Sequence, residues 1–247
     1  MKMKEIISGV ILFLIALVIG IFIYLGQGNN KEDENNSPSI DEINFKNEYE
    51  NTNQAFPDDG STPIIIDIPL LSGVKYIEPD SAVDIIKNKD GIIYFGFPEC
   101  PWCRSILPTL LKSLENNGIT KFYYLNISDI RSEYSLDDSQ IPVKEKEGTN
   151  AYYQLLDILS DHLRDYELPV YDKSGKVTKY IKTGEKRLSA PTVLFIRDGF
   201  VVDIIIGTVS TFDNPYIPMT KDQEEELNEM YANAIKKVNG TACNEEC

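Results

Sequence analysis

The stretch "IIYFGFPECPWCRSILPTL" (residues 92–110) places two cysteines, Cys100 and Cys103, directly after a short apolar run. The apolar run predicts a strand. After the cysteines, apolar residues recur at helical spacing until Gly118, at Ile106, Leu107, Leu110, Leu111 and Leu114. This pattern predicts an amphipathic helix that begins at the cysteines, so Cys100 is expected at a helix N-terminus.

Two cysteines three positions apart admit three interpretations: half of a metal site, a structural disulfide or a redox centre. A zinc site would need Cys243 and Cys247 as its other ligands. It would join a helix start to the end of the chain, whereas structural zinc sites usually pair two short knuckles. A disulfide across two intervening residues closes almost no loop and stabilises the fold little. We therefore favour redox exchange.

Strand signals on both sides of this helix predict an α/β sheet. The segment "KFYYLNI" (residues 121–127) completes a strand-helix-strand unit. Crossover connections of this kind join parallel strands, so the sheet is expected to be at least partly parallel. Upstream, residues 74–77 are predicted as a first strand and residues 80–88 as a short helix.

The C-terminal part of the chain predicts a hairpin and a last helix. The runs "APTVLFI" and "FVVDIII" flank Asp198 and Gly199, a pair typical of an antiparallel hairpin. The last helix begins at Thr220, with Gln223 in the capping-box position, and repeats apolar residues along one face. This face is expected to cover the sheet.

Residues 129–187 interrupt this order and are predicted as an insertion. They contain a helix pattern over residues 150–166 and a hairpin pattern that turns at Ser174 and Gly175. The insertion either decorates the edge of the sheet or forms a lid for substrate recognition. The sequence leaves both interpretations open.

Three features together resemble the thioredoxin superfamily. The CPWC sequence at residues 100–103 is similar to its active-site motif, and Pro108 matches the proline that kinks its active-site helix. The loop Ser-Ala-Pro-Thr at residues 189–192 resembles the loop whose cis-proline faces the cysteines. The resemblance implies a thioredoxin fold, in which helices flank a central mixed β-sheet, with the insertion before the cis-proline strand. Pro191 is therefore expected to be cis.

The resemblance covers residues 70–128 and 188–239 and leaves the insertion outside it. Within the superfamily, residues 92–110 are similar to membrane-anchored thioredoxin-like proteins of Gram-positive bacteria, including bacteriocin transport accessory proteins. The implied activity is that of a thiol-disulfide oxidoreductase, for which we expect no cofactor and no metal.

The two cysteines are predicted to have unequal roles. A helix N-terminus stabilises a thiolate through free backbone N–H groups and the helix dipole, so Cys100 is the predicted nucleophile. Cys103 lies one turn further along and is the predicted resolving cysteine. The resemblance also implies four substrate-contacting residues, which are Pro101, Trp102, Ala190 and Pro191.

One position departs from the superfamily pattern. Tyr94 stands six residues before Cys100, where many relatives carry a buried acid that handles protons. Proton transfer at Cys103 is then expected to use another group or water, since Glu99 is expected to be too exposed. Around Cys100, the helix dipole lowers the pKa, Glu99 opposes this effect and Arg104 is expected to assist it. The direction of electron flow therefore stays open.

The N-terminus predicts a membrane anchor. Residues 6–25 contain no charge and are long enough, as a helix, to cross a hydrocarbon core. Lys2 and Lys4 precede this run and acidic residues follow it, so the N-terminus is expected in the cytoplasm and the rest of the chain outside. A cleaved secretory signal is the alternative, although the stretch lacks an Ala-x-Ala-like site.

The predicted domain organisation has four parts. Residues 1–26 form the anchor, residues 27–62 an acidic disordered linker, residues 63–240 the thioredoxin-like domain and residues 241–247 a tail with Cys243 and Cys247. The tail cysteines form either a small disulfide or spare thiols in one interpretation. In the other, they are a secondary redox pair that relays electrons to or from Cys100 and Cys103.

The composition limits the classes of partner that the chain is expected to bind. The formal net charge of −15 argues against nucleic acid, because phosphate binding needs clustered Lys and Arg. We expect cysteine-containing exported proteins or peptides as substrates, together with a redox partner in the membrane. The alternative function is a non-catalytic accessory protein that uses the proline loop to bind an exported peptide or a transport partner.

Overall fold

The computed structural model describes residues 37–54 and 64–240. Three predicted parts lie wholly or partly outside these ranges. They are the anchor (residues 1–26), residues 27–36 and 55–62 of the linker, and the tail (residues 241–247). No helix within residues 37–54 and 64–240 has the length and apolar character needed to cross a membrane.

The secondary structure of the described residues alternates helices and strands. The helices are α1 (Ile40–Asn51), α2 (Pro79–Asn88), α3 (Pro101–Asn116), α4 (Asn150–Ile158) and α5 (Lys221–Val238). The strands are β1 (Val74–Tyr76), β2 (Gly91–Gly96), β3 (Phe122–Asn126), β4 (Glu133–Leu136), β5 (Pro142–Lys146), β6 (Arg164–Tyr171), β7 (Val177–Arg187), β8 (Thr192–Arg197) and β9 (Phe200–Ile206).

A five-stranded mixed sheet forms the centre of the fold, with strand order β1-β3-β2-β8-β9. Strand β3 pairs in parallel with β1 and with β2, as predicted for the strand-helix-strand unit. Strand β8 runs antiparallel to β2 and to β9, so the predicted hairpin is confirmed. This mixed sheet flanked by helices is compatible with a thioredoxin-like fold.

Helices cover both faces of the sheet because the side chains of β2 alternate between two cores. Ile92 and Tyr94 belong to a core shared with α1, α3 and α5, which we call the α3 core. Ile93 and Phe95 belong to a second core shared with α2 and α4. A strand buried on both faces reads as a continuous apolar run, which explains the pattern that opens the sequence.

The prediction of a disordered linker over residues 27–62 is wrong where α1 lies. Ser39 caps this helix and forms a capping box with Glu42. Phe45 and Tyr49 are both 0% exposed and pack into the α3 core. The segment is acidic overall, but it contains two buried aromatic side chains one helical turn apart. The compact unit that contains the sheet begins at Ser39 and not at residue 63.

The insertion between β3 and β8 contains two antiparallel hairpins and α4. The helix predicted for residues 150–166 ends at Ile158, because residues from Arg164 onward form β6, which pairs with β7. The predicted turn at Ser174 and Gly175 connects these two strands. The β4-β5 hairpin was not predicted, since its strands span only four and five residues and none of their side chains is buried.

Candidate active site at Cys100 and Cys103

Helix α3 places the two cysteines in different environments. Cys100 occupies the N-cap position, and its sulfur accepts a hydrogen bond from the backbone N–H of Cys103 at 3.3 Å. Cys100 is 6% exposed and Cys103 is 0% exposed, and both are free thiols. The predicted difference in accessibility is therefore present, because a side chain one turn into α3 points into the core.

The proline loop lies next to the Cys100 sulfur. The Ala190–Pro191 peptide bond is cis, as predicted. The Cys100 thiol lies 3.5 Å from the carbonyl oxygen of Ala190, a residue far away in the sequence, and donates a hydrogen bond to it. On the other side of the loop, the Pro191 carbonyl accepts a hydrogen bond from the Gly207 N–H at 2.8 Å. The fold thus brings the two predicted motifs together.

The surroundings of Cys100 favour its thiolate. A hydrogen bond with the Cys103 side chain lowers the pKa of Cys100, and the backbone N–H groups of Cys103 and Trp102 lower it further, whereas burial raises it. The charge of Arg131 adds a smaller lowering effect on the pKa. Backbone N–H groups at the helix start therefore act on this sulfur as the sequence predicts.

The surroundings of Cys103 favour its protonated thiol. Burial raises the pKa of Cys103 well above its ordinary value, and the hydrogen bond with Cys100 raises it further. A hydrogen bond between the Tyr94 hydroxyl and the Cys103 sulfur acts in the opposite direction on the pKa. Tyr94 thus influences the pKa of the predicted resolving cysteine although it is not an acid.

Arg104 does not take the role expected from the sequence. Its guanidinium donates hydrogen bonds to the carbonyl oxygens of Tyr49 at 2.8 Å and Ile64 at 2.7 Å. It also binds the side chains of Thr52 and Asn53. These contacts tie α3 to the segment that follows α1, so Arg104 stabilises the fold.

Arg131 is the cation that sequence reasoning missed. It follows β3, and its guanidinium lies 4.7 Å from the centre of the Phe97 ring, close to the start of α3. No local pattern marks Arg131, because its proximity to Cys100 depends on how β3 lies beside β2. Only the register of the sheet reveals it.

The remaining predicted site residues surround the entrance to α3. Pro101 is the first residue of the helix and Pro108 lies inside it. Trp102 is half-buried and packs edge-on against Phe212, with ring centres 5.8 Å apart. Glu99 is exposed, as expected.

The metal interpretation has no support in the described residues. Residues 37–54 and 64–240 contain no group of three or more His, Cys, Asp or Glu side chains that could hold a metal ion. The tail cysteines Cys243 and Cys247, which the zinc and electron-relay interpretations need, lie outside these residues. Neither interpretation of the tail is tested by the fold.

The sequence has no match among family models or curated proteins. No protein-family model matches the chain, and no curated protein sequence matches it. The residue pattern and the geometry around the cysteines are therefore what supports a function.

The arrangement can support one chemical cycle. The Cys100 sulfur, whose pKa is lowered, accepts a hydrogen bond from the backbone N–H of Cys103, whose thiol is buried, so the pair can pass between a dithiol and a disulfide. The carbonyl of Ala190 lies beside the more accessible sulfur, where the backbone of a peptide substrate can approach.

Proposed function

We propose that this chain is a thiol-disulfide oxidoreductase with a thioredoxin fold. The observation that carries the proposal is the position of the Cys100 sulfur. It lies 3.3 Å from the Cys103 backbone nitrogen and 3.5 Å from the carbonyl oxygen of Ala190, which precedes cis-Pro191. This sulfur has a partner thiol for exchange and an adjacent backbone for a peptide.

In the proposed reaction, the Cys100 thiolate attacks a substrate disulfide and forms a mixed disulfide, and one substrate sulfur leaves as a thiolate. Cys103 then attacks the Cys100 sulfur, which releases the second substrate sulfur and leaves a Cys100–Cys103 disulfide. The reverse sequence transfers the disulfide to a substrate dithiol. In both directions Cys100 carries the mixed disulfide, whereas Cys103 displaces the substrate in the first direction and leaves as a thiolate in the second.

Substrate contacts in this proposal come from the surface around Cys100. We assign them to the start of α3 and to the proline loop, at Pro101, Trp102, Ala190 and Pro191. Trp102 offers a half-buried aromatic ring next to the reacting sulfur. An extended peptide is therefore the substrate shape that suits the site.

We also propose that the domain acts outside the cytoplasm on exported proteins or peptides. The support is the uncharged stretch at residues 6–25 with Lys2 and Lys4 before it. A redox partner in the membrane would return the cysteine pair to its working state after each turnover.

Two assays test the activity of the full chain. Wild type is expected to accelerate insulin reduction or disulfide formation in a reduced peptide, and Cys100→Ser is expected to abolish the acceleration. Cys103→Ser should accumulate mixed disulfides with the substrate, visible on non-reducing gels and released by dithiothreitol. Without a resolving thiol, this intermediate has no internal route to product.

The alternative function gives the opposite pattern. A binding protein without redox activity would show no turnover in wild type, and Cys100→Ser would bind a cysteine-free peptide with unchanged affinity. This pair of results would replace the oxidoreductase with the accessory protein.

A further inference from the structure

Two arginines of the insertion lie close together near the candidate site. The Arg187 guanidinium donates a hydrogen bond from Nη1 to the carbonyl oxygen of Ser132 at 2.6 Å, and Ser132 directly follows Arg131 in the chain. Burial lowers the pKa of Arg187, and the charge of Arg131 lowers it further. The two positive charges are therefore near enough to repel each other.

Neither guanidinium is neutralised by a carboxylate at hydrogen-bond distance. Glu133 Oε1 lies 3.7 Å from Arg131 Nε, which is too far for a hydrogen bond. The same Nε is buried and has no hydrogen-bond partner among the described residues. Arg187 forms no ion pair within residues 37–54 and 64–240. Because buried donors and charges without partners are costly, an anion that binds both arginines would be stabilised.

Each guanidinium is held on the face of an aromatic ring. Arg131 lies 4.7 Å from the centre of the Phe97 ring, and Arg187 lies 4.1 Å from the centre of the Tyr166 ring. These contacts fix the position of a guanidinium through its charge and do not consume its N–H donors. Arginine donors are arranged to bind both oxygens of one carboxylate. Both side chains are thus positioned and still able to bind an anion.

Backbone contacts place this pair of arginines beside the reacting sulfur. Phe97, which contacts Arg131, accepts a hydrogen bond from the Cys100 N–H through its carbonyl oxygen at 3.2 Å. Arg187 precedes Ala190 by three residues, which span at most about 11 Å. The Ala190 carbonyl oxygen in turn lies 3.5 Å from the Cys100 sulfur. A peptide whose disulfide reaches Cys100 therefore brings its neighbouring residues close to both arginines.

The surroundings of the pair make it selective. The whole chain carries a formal net charge of −15, which repels anions elsewhere on its surface. Glu185, two residues before Arg187, is already bound to Lys144 at 2.7 Å and to the Ser132 hydroxyl at 3.0 Å. Partly buried charges are screened less by salt than exposed ones. A local positive site on an acidic protein discriminates between substrates and does not attract every anion.

We propose that Arg131 and Arg187 form a carboxylate-binding subsite, which selects substrates with an acidic group within about three residues of the reacting cysteine. This inference rests on the exchange activity proposed above and names its substrate class. The insertion supplies one arginine near its start and the other at its end, where it joins the central sheet. The insertion is then an element of substrate recognition and not a decoration of the sheet edge.

The test compares peptides that carry one cysteine as a disulfide with 2-thiopyridine. Two blocked peptides differ only two positions from the cysteine, where one has Glu and the other Gln. A third peptide has Gln there and ends with a free carboxylate. When the Cys100 thiolate of the reduced full chain attacks the peptide sulfur, the Cys100–peptide bond forms and the peptide–pyridine disulfide breaks. The pyridinethiolate leaves with the electron pair and takes a proton from water, and its absorbance gives the rate.

The ratio of the two rates measures the subsite. Wild type is expected to react about tenfold faster with the Glu peptide than with the Gln peptide. Arg131→Gln and Arg187→Gln should each reduce this ratio to about three, and the double variant to about one. The ratio does not report the effect of Arg131 on the Cys100 thiolate, because that effect changes both rates equally. High salt should lower the wild-type ratio.

Two further variants separate the subsite from net charge. Arg197→Gln removes the same charge at the end of β8 that is remote from Pro191, so the ratio should match wild type. Glu133→Gln removes the carboxylate that competes for Arg131, so the ratio should rise above that of wild type. A general effect of net charge would instead lower the ratio in the first variant and raise it in the second.

The outcomes separate the subsite from the proposed function. Release no faster in wild type than in Cys100→Ser would overturn the exchange activity and, with it, the subsite. Equal rates for the Glu and Gln peptides in wild type would overturn the subsite and leave the activity standing. A ratio unchanged in Arg131→Gln and Arg187→Gln, or lowered equally in Arg197→Gln, would also overturn the subsite.

Two remaining results complete the test. If circular dichroism shows that Arg187→Gln does not fold, the ratio in Arg131→Gln decides alone. The third peptide identifies the source of the carboxylate once the ratio supports the subsite. A rate like that of the Glu peptide supports binding of chain ends as well, and a rate like that of the Gln peptide supports binding of acidic side chains alone.

Discussion

Two segments outside the thioredoxin-like pattern influence the two cysteines in different ways. Helix α1 packs into the α3 core and brings Tyr49 into the core that holds Cys103, whereas Arg131, near the start of the insertion, acts on Cys100 through its charge. The α1 segment adds a neutral phenol to the surroundings of a buried thiol. The insertion acts on the more accessible sulfur through a positive charge.

The difference teaches that the reactivity of each thiol can be adjusted separately. A charge near a partly accessible sulfur changes the equilibrium between thiol and thiolate. Burial of the second sulfur raises its pKa instead, because a charge is costly inside a core. The following experiments break or sharpen this comparison, from the largest expected effect to the smallest.

Removing an aromatic ring from α1 tests whether this helix belongs to the domain. Phe45 is 0% exposed and packs against the rings of Tyr49 and Tyr124 at 4.8 and 4.9 Å. Phe45→Ala should lower the free energy of unfolding by about 3–5 kcal/mol, because it leaves a cavity in the core. Urea denaturation measures this loss, with Ile40→Ala as the control, since Ile40 is 69% exposed on the same helix. Equal losses of unfolding free energy in both variants would show that α1 is a linker and not part of the domain.

The reactivity of the two thiols should differ widely in the reduced chain. The lowered pKa of Cys100 increases the fraction of its thiolate at a given pH, whereas the raised pKa of Cys103 keeps that thiol protonated. Iodoacetamide at pH 7 should therefore modify Cys100 about 100-fold faster than Cys103, as quantified by peptide mass spectrometry. The Cys100 rate should rise with pH, level off above the lowered pKa and reach half its maximum at a lower pH than free cysteine. A half-maximum at or above that of free cysteine would contradict the unequal roles.

Adding a methyl group at Gly96 tests the space reserved for the Tyr94 ring. Gly96→Ala should destabilise the domain by about 1–3 kcal/mol, because the buried ring must move. Urea denaturation of a double-mutant cycle provides the control. In a Tyr94→Leu background the same change should be less destabilising, and an unchanged effect would show that Gly96 serves another contact.

Neutralising Arg131 should have the smallest effect. Arg131→Gln removes a positive charge that lowers the pKa of Cys100, so iodoacetamide should react with Cys100 about two- to fivefold more slowly below that pKa. The difference should shrink in high salt. Arg164→Gln, an exposed arginine of the same insertion, is the matched control and should leave the rate unchanged. A similar decrease in both variants would indicate a general effect of net charge.

Most of the sheet and its helices could be predicted from local patterns. The apolar run at residues 92–95, the capping box at Thr220 and the Asp198-Gly199 turn each mark an element within a few residues of sequence. The prediction failed at α1, although Ser39 and Glu42 carry a capping-box signal, because only two apolar residues of that helix are buried. Averaged composition does not detect so narrow a stripe.

The candidate site divides in the same way. The resemblance of residues 100–103 and 189–192 to the thioredoxin superfamily implied that the proline loop would face the cysteines, as it does. The partners Arg131 and Tyr49 were not predictable, because nothing in their local sequence indicates which sulfur they approach. Arg104 was expected to assist the lowering of the Cys100 pKa, but its guanidinium binds the carbonyl oxygens of Tyr49 and Ile64. Proximity to Cys100 in sequence does not determine which carbonyl groups a guanidinium binds.

The sequence by itself determined the order of strands and helices, the position of Cys100 at a helix start and the proline expected beside it. These features depend on short-range periodicity and on residues whose backbone preferences are strong. Only the tertiary structure decided which groups surround each sulfur, because the core that holds Cys103 collects Tyr94, Tyr49 and Tyr124 from β2, α1 and β3. Burial and hydrogen bonding between distant segments arise when the sheet and helices pack together, and no single stretch of sequence encodes them.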